Sequence, residues 1–185
     1  MELVALSNRQ LNALARSDPE LWRVFQGVYP SDRLPQHPPK TTRGAYIVNT
    51  DPAREPGQHW LGVWTKNAVC EVFDSYGLPL SVYEAPGFHA WIARHWTYVV
   101  RSDKTLQAYD SLACGHYVFL YLQERVRGRT LLEFVESFRD EDYVWNDHRV
   151  GERVGAWIKQ RLQNPLNEPD GIESQRCVSQ CCMFS

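Results

Sequence analysis

The stretch that most limits what this chain can build begins at Val118, where Phe119, Leu120, Tyr121 and Leu122 follow without a charged or amide side chain. A helix that is apolar all the way round has no face for water, so it must be packed against neighbours on several sides. The rest of the chain has to wrap it. The means are present: 185 residues, 43% hydrophobic and 12% aromatic, supply one sizeable core. A single domain over residues 1–162 is expected. From 163 to 185 Pro, Asn, Asp, Gly, Ser and Gln dominate, the composition of a tail without a core of its own.

Caps and periodicity outline the wrapping elements. Ser7 with Gln10 makes a capping box ahead of Leu11 and Leu14, and Asp18-Pro19 opens a second short helix whose apolar residues are Leu21, Val24 and Phe25. Four prolines between Pro30 and Pro39 exclude regular structure there. Residues 44–50, 59–65 and 69–74 are rich in Val, Ile, Tyr, Trp and Phe, and a turn at Lys66-Asn67 joins the last two in a meandering antiparallel sheet. A short helix over 87–93 turns Phe88, Trp91 and Ile92 inward, and 95–101 adds a fourth strand. Beyond the buried helix, Thr130 with Glu133 caps a helix carrying Leu131, Phe134 and Val135, and Val150, Val154, Trp157, Ile158 and Leu162 mark another.

Charge and cysteine usage remove several function classes. Lys and Arg total 20 against 22 Asp and Glu, so a net charge of -2 rules out a nucleic-acid packaging protein. No run reaches the roughly 18 apolar residues of a membrane span, and the first residues lack the basic-then-apolar pattern of a secretory signal. A soluble intracellular body is expected. Five cysteines is an odd number, and Cys177, Cys181 and Cys182 crowd the end of the chain, which reads as reduced thiols rather than a disulfide framework. Without a neighbouring histidine or fourth thiol they make no zinc site, and no metal or other cofactor is expected.

Cys114 opens the buried helix with Gly115 behind it, so its sulfur meets the positive end of the helix dipole, an environment that favours a thiolate. Thiol-dependent amide hydrolysis needs in addition a base, a group to orient the base, and donors for the oxyanion. His59 opens one strand of the hairpin and Asp74 ends the other, so the two can meet at one sheet edge, leaving the second imidazole nitrogen for Cys114. Gln107 lies seven residues before Cys114 on a turn-rich loop, from which its amide can donate beside the Cys114 backbone N–H. Other histidines compete. His116 is two residues from Cys114 and points to a different helix face, which makes it a poor base. His95-Trp96 duplicates His59-Trp60 and has Asp103 downstream, and spacing alone leaves it as the second candidate. Taken singly, such a cysteine or histidine is more often an ordinary packing residue.

Their order says more. Ile47-Val48-Asn49-Thr50, then Arg54-Glu55-Pro56-Gly57-Gln58-His59-Trp60, then Val72-Phe73-Asp74-Ser75-Tyr76-Gly77, then Gln107 ahead of Ala113-Cys114-Gly115 together resemble the adenovirus protease (adenain) family over about residues 20–140. The related proteases of Maverick/Polinton-type elements and animal DNA viruses are similar too. The resemblance implies an α+β fold of the SUMO-protease superfamily, a mixed sheet packed on a buried central helix. It implies Cys114 as nucleophile, His59 as general base and acid, Asp74 as its orienting acid, and Gln107 as oxyanion donor, with the N–H of Trp60 adding to the hole. By the same resemblance the substrates are capsid or core precursor proteins cut at small, glycine-rich sites during virion maturation, in the host nucleus or cytoplasm and in the virion, by a monomer. The alternatives are an isopeptidase acting on ubiquitin-like conjugates and a catalytically idle virion-associated binding protein.

The chain departs from adenain in three ways. The acid is Asp74 where adenain has Glu, no cysteine lies between Cys70 and Cys114 to bond an activating peptide, and the net charge of -2 is unlike that of a basic, DNA-activated enzyme. A peptide or DNA activator therefore rests on the resemblance alone. Finally, Cys182-Met183-Phe184-Ser185 fits a C-a-a-X box, which would put a prenyl group on Cys182, with Cys181 and Cys177 as acylation sites and a membrane as partner; the other reading is an unmodified tail.

Overall fold

The computed structural model describes residues 3–38 and 43–163. In chain order the elements are α1 (Asn8–Ser17), α2 (Pro19–Trp22), β1 (Phe25–Tyr29), β2 (Gly44–Asn49), β3 (Trp60–Lys66), β4 (Val69–Phe73), α3 (Pro86–His95), β5 (Tyr98–Arg101), α4 (Cys114–Val126), α5 (Leu131–Glu136) and α6 (Tyr143–Gln163). Local chemistry starts the helices. Ser7 with Gln10 and Thr130 with Glu133 form reciprocal capping boxes, and the Asp18 carboxylate accepts the N–H groups of Glu20 and Leu21.

The strands lie in the order β1-β2-β3-β4-β5 across one mixed sheet. The inner pairs β2–β3 and β3–β4 are antiparallel, and both outer pairs are parallel. The edges depart from the sequence expectation. Val24 and Phe25 continue no helix, because α2 stops at Trp22 and the chain extends at once into β1. Four helical residues hold little, whereas Phe25, Val28 and Tyr29 are strand formers that gain a ladder beside β2. The strand expected over 95–101 begins only at Tyr98, since α3 runs through His95. That helix carries the chain back across the sheet, so β5 arrives parallel to β4 and the sheet is no simple meander.

Alternation along the strands gives each face its own core. Ala45, Ile47, Trp64 and Phe73 pack toward α4, α1 and α5, whereas Tyr46, Val48, Leu61, Val63, Cys70 and Val72 pack toward Phe88, Trp91 and Ile92 of α3. On the first face α4 is buried continuously from Gly115 to Leu122, as its apolar sequence demands. It comes close to β3 at Gly62, where an added Cβ would sit 3.0 Å from the Tyr121 ring. Polar pegs fix its rotation. Arg125 makes two 2.8 Å bonds to Glu71, which also accepts the Tyr121 hydroxyl at 3.0 Å, and buried Asp18 holds Arg127 at 2.9 Å. With its far end pinned, α4 presents Cys114 at the rim where β3 begins and β4 ends.

Candidate active site

β3 and β4 are antiparallel, so the residue before one and the residue after the other share an end of the sheet. Those residues are His59 and Asp74. His59 Nε2 lies 2.7 Å from Asp74 Oδ1, and both residues are buried. A carboxylate only accepts, so a proton sits on Nε2 and Nδ1 is left for Cys114, whose sulfur is near enough to the imidazole to raise it. Cys114 itself is half-buried and reachable from solvent.

Asp74 is held by more than the histidine. Its Oδ1 also accepts the Tyr76 N–H at 2.9 Å, and its Oδ2 accepts the Leu78 N–H at 3.1 Å and the Tyr83 hydroxyl at 2.7 Å. The turn that aims these N–H groups depends on Gly77, at φ 65°, where a Cβ would come within 2.6 Å of the Lys104 carbonyl carbon. Ser102 clamps the backbone: its hydroxyl accepts the Asp74 N–H at 2.8 Å and lies 2.9 Å from the Asp74 carbonyl. The Tyr76 and Tyr83 rings both stack on the imidazole, at 4.8 Å and 5.8 Å between centroids.

These contacts set the charges. Burial raises the Asp74 carboxyl, but the bonds from His59, Tyr83 and Tyr76 outweigh it and hold the group below the usual carboxylate range. Burial likewise pushes His59 down, yet the Asp74 bond and the neighbouring Cys114 prevail and raise it to about 9. The rim therefore favours an imidazolium beside the sulfur at neutral pH.

Gln107 is buried next to this pair. Its Oε1 accepts the Ser75 hydroxyl at 2.7 Å, and its Nε2 donates to the Ser111 carbonyl at 2.7 Å and to the Tyr76 hydroxyl at 3.3 Å. A carbonyl accepts only, which fixes the amide orientation. The long bond to Tyr76 is the one an incoming oxyanion could replace. At the start of α4 the N-cap Ala113 offers no side-chain acceptor, so first-turn N–H groups are not consumed by a cap.

The other sequence candidates lie elsewhere or do other work. The Trp60 indole N–H donates to the Leu6 carbonyl at 3.0 Å, so any donor role at this position falls to its backbone N–H. That group points away from β2, because the neighbouring Thr50 N–H bonds the His59 carbonyl and ladder bonds alternate. His95 closes α3, half-buried against Trp91 and Trp96 of the α3-face core, and Asp103 is exposed. His116 is buried in α4, its Nδ1 has no partner among the described residues, and burial pushes it down to about 4. Cys177, Cys181 and Cys182 lie outside the described residues. Sequence reading missed Tyr83 and Ser102 altogether, and took Ser75 and Tyr76 only as part of a motif. Tyr83 carries no local signal, for it reaches Asp74 from the far side of a turn.

The sequence matches no known family profile and none of the curated proteins. Solved structures do resemble it. The crystal structure of the ASFV pS273R protease is similar at a TM-score of 0.52 and 13% identity, over 78% of this chain and 66% of that one. ChlaDub1 from Chlamydia trachomatis is similar at a TM-score of 0.44 and 13% identity, over 90% of this chain and 82% of that one. This chain spans just under two thirds of the ASFV protease. The likeness to that enzyme shows the fold: a five-stranded mixed sheet with its helices arranged as in the SUMO-protease-like cysteine proteases.

Proposed function

We propose that this chain is a cysteine endopeptidase in which Cys114 is the nucleophile, His59 the general base and acid, Asp74 the orienting group and Gln107 an oxyanion donor. The observation that carries the reading is the buried pair at the sheet rim, His59 on Asp74 at 2.7 Å, with Cys114 near enough to the same ring to raise it. In this mechanism the Cys114 sulfur attacks the scissile carbonyl carbon and the oxyanion is met by the Gln107 amide and the Cys114 N–H. The C–N bond then breaks, His59 gives its proton to the leaving amine, and a thioester remains on the enzyme. Water, deprotonated by His59, attacks the thioester, releases the carboxylate product and restores the thiol.

For the substrate, the motif order favours precursor proteins of a virus or virus-like element, cut at glycine-containing sites during maturation. The same chemistry serves an isopeptidase acting on ubiquitin-like conjugates. Wild type, Cys114→Ala and His59→Ala are to be assayed on a glycine-containing peptide library and on ubiquitin and SUMO fusions. Cleavage of the peptides alone supports the maturation enzyme, and preference for the fusions supports the isopeptidase. No cleavage of either by wild type would leave a binding protein and sink the enzymatic reading.

A further inference from the structure

Gln107 stands on residues 105–113, a stretch with no helix or strand bonding of its own. A transition-state donor has to be fixed to within a fraction of an ångström, so this loop needs an outside support. We infer that Asp147 and Asn146, in the first turns of α6, are positioning residues that hold the Gln107 loop and the start of α4 in register for an oxyanion. The inference rests on the protease reading above.

Both residues are buried, Asn146 fully and Asp147 at 7% exposure. Buried polar groups need partners, and here the partners lie on both sides of Gln107. Asn146 Nδ2 donates to the carbonyl of Leu106, the residue before it, at 3.1 Å. Asp147 Oδ2 accepts the N–H of Ala108, the residue after it, at 3.3 Å, and the Ser111 hydroxyl is near enough to the same carboxylate to pull its titration down. Ser111 in turn supplies the carbonyl that accepts the Gln107 amide at 2.7 Å. Asp147 Oδ1 accepts the hydroxyl of Tyr117, one turn along α4 from Cys114, at 2.9 Å. Asn146 is anchored in its turn by the N–H and carbonyl of Arg139, both at 3.0 Å.

Burial raises the Asp147 carboxyl although Ser111, Tyr117 and Ala108 all pull it down. Holding a charge here costs stability, which an apolar side chain would avoid. What the carboxylate adds is acceptance from a donor on the oxyanion loop, the Ala108 N–H, and one on the nucleophile helix, the Tyr117 hydroxyl, at once. Asparagine can imitate it: one oxygen for the Ala108 N–H, and an amide N–H for the Tyr117 oxygen, whose own proton then goes to the Leu106 carbonyl 3.1 Å away. Alanine cannot.

The test compares full-length wild type, Asp147→Ala, Asp147→Asn and Ser111→Ala. A glycine-containing fluorogenic peptide reports kcat and KM. A peptide aldehyde forms a hemithioacetal whose oxygen enters the hole, whereas iodoacetamide alkylates Cys114 without making an oxyanion. Asp147→Ala is expected to lower kcat and weaken aldehyde inhibition by about 10- to 100-fold, with KM and the iodoacetamide rate held within about 3-fold. Asp147→Asn is expected to recover most of that loss. Ser111→Ala, at a half-buried position whose hydroxyl also accepts the Ala113 N–H at 3.2 Å, gives a smaller loss of the same kind and carries the test if Asp147→Ala does not fold. The inference is overturned if aldehyde binding and alkylation fall together, if neither changes, or if asparagine is as damaging as alanine. A wild type that neither cleaves the peptide nor binds the aldehyde overturns the protease reading and this inference with it.

Discussion

One histidine meets Cys114 from the sheet rim, and another sits two residues beyond it in α4. His59 is 6% exposed and His116 7%, so both have lost nearly all their water, yet one is raised to about 9 and the other pushed down to about 4. Burial acts the same way on both. The difference is the partner: the rim gives His59 the Asp74 carboxylate, itself held by Tyr76, Leu78 and Tyr83, whereas the helix interior leaves His116 Nδ1 without one among the described residues. What raises an imidazole here is what the fold aims at the ring, and proximity in sequence to the sulfur counts for nothing.

The largest effect comes from removing the pair itself. Cys114→Ala and His59→Ala are each expected to lower kcat by about 1000-fold or more, the scale at which members of a catalytic unit fail singly, while His116→Leu should stay within about 3-fold of wild type on the same peptide. Comparable losses from His116→Leu would erase the contrast. Next, Asp74→Asn turns the rim into a site like that of His116. The proposed mechanism needs the imidazolium as acid, so the wild-type rate is expected to fall as pH rises through about 9, and this alkaline limb should move to lower pH in Asp74→Asn, with kcat down by about 100-fold or more. An unmoved limb in the variant would show that Asp74 does not set the titration.

Tyr83→Phe removes one of the donors to Asp74 and keeps the ring stacked on His59. A loss of about 10-fold in kcat is expected, the value of one hydrogen bond to a charged group. Kinetics indistinguishable from wild type would confine Tyr83 to packing.

The smallest effect is on stability, and its sign differs between the two histidines. His59 is raised above its ordinary 6.5, so its contribution is complete below that value and is lost as pH climbs through about 9. His116 is lowered, so the unfolded chain takes up its proton first and the folded state loses stability as pH falls from 6.5 toward about 4. Thermal melts of His116→Leu and wild type should therefore draw apart by a few degrees as pH drops below 6.5. Parallel curves would mean that His116 is solvated in the folded chain.

Much of this was legible in the sequence, for local reasons. Capping boxes at Ser7 and Thr130 involve residues three apart, and the Lys66-Asn67 turn sets β3 against β4, which brings His59 and Asp74 to one end. The strand β5 was also read, three residues too early, but its parallel direction was not, because a crossover through α3 sets it, and β1 was missed because it is made by pairing with a strand that begins at Gly44. The supports of the site were hidden for the same reason. Tyr83 reaches Asp74 across a turn, and Asp147 meets Ala108 from an element 39 residues on. Neither sits in a motif, and only the folded chain brings them near.

In the proposed mechanism His59 makes the Cys114 sulfur reactive, and Cys70 is the internal control. Cys70 is fully buried on the α3 face, and burial with the neighbouring Glu71 pushes its thiol up to about 12. Peptide-resolved mass spectrometry of iodoacetamide labelling, from pH 5 to pH 9 in wild type and His59→Ala, separates the two thiols. Cys114 is expected to be alkylated far faster than Cys70 at neutral pH, with that reactivity lost in His59→Ala. Cys114 labelling that matches Cys70, or that keeps its rate without His59, would contradict it.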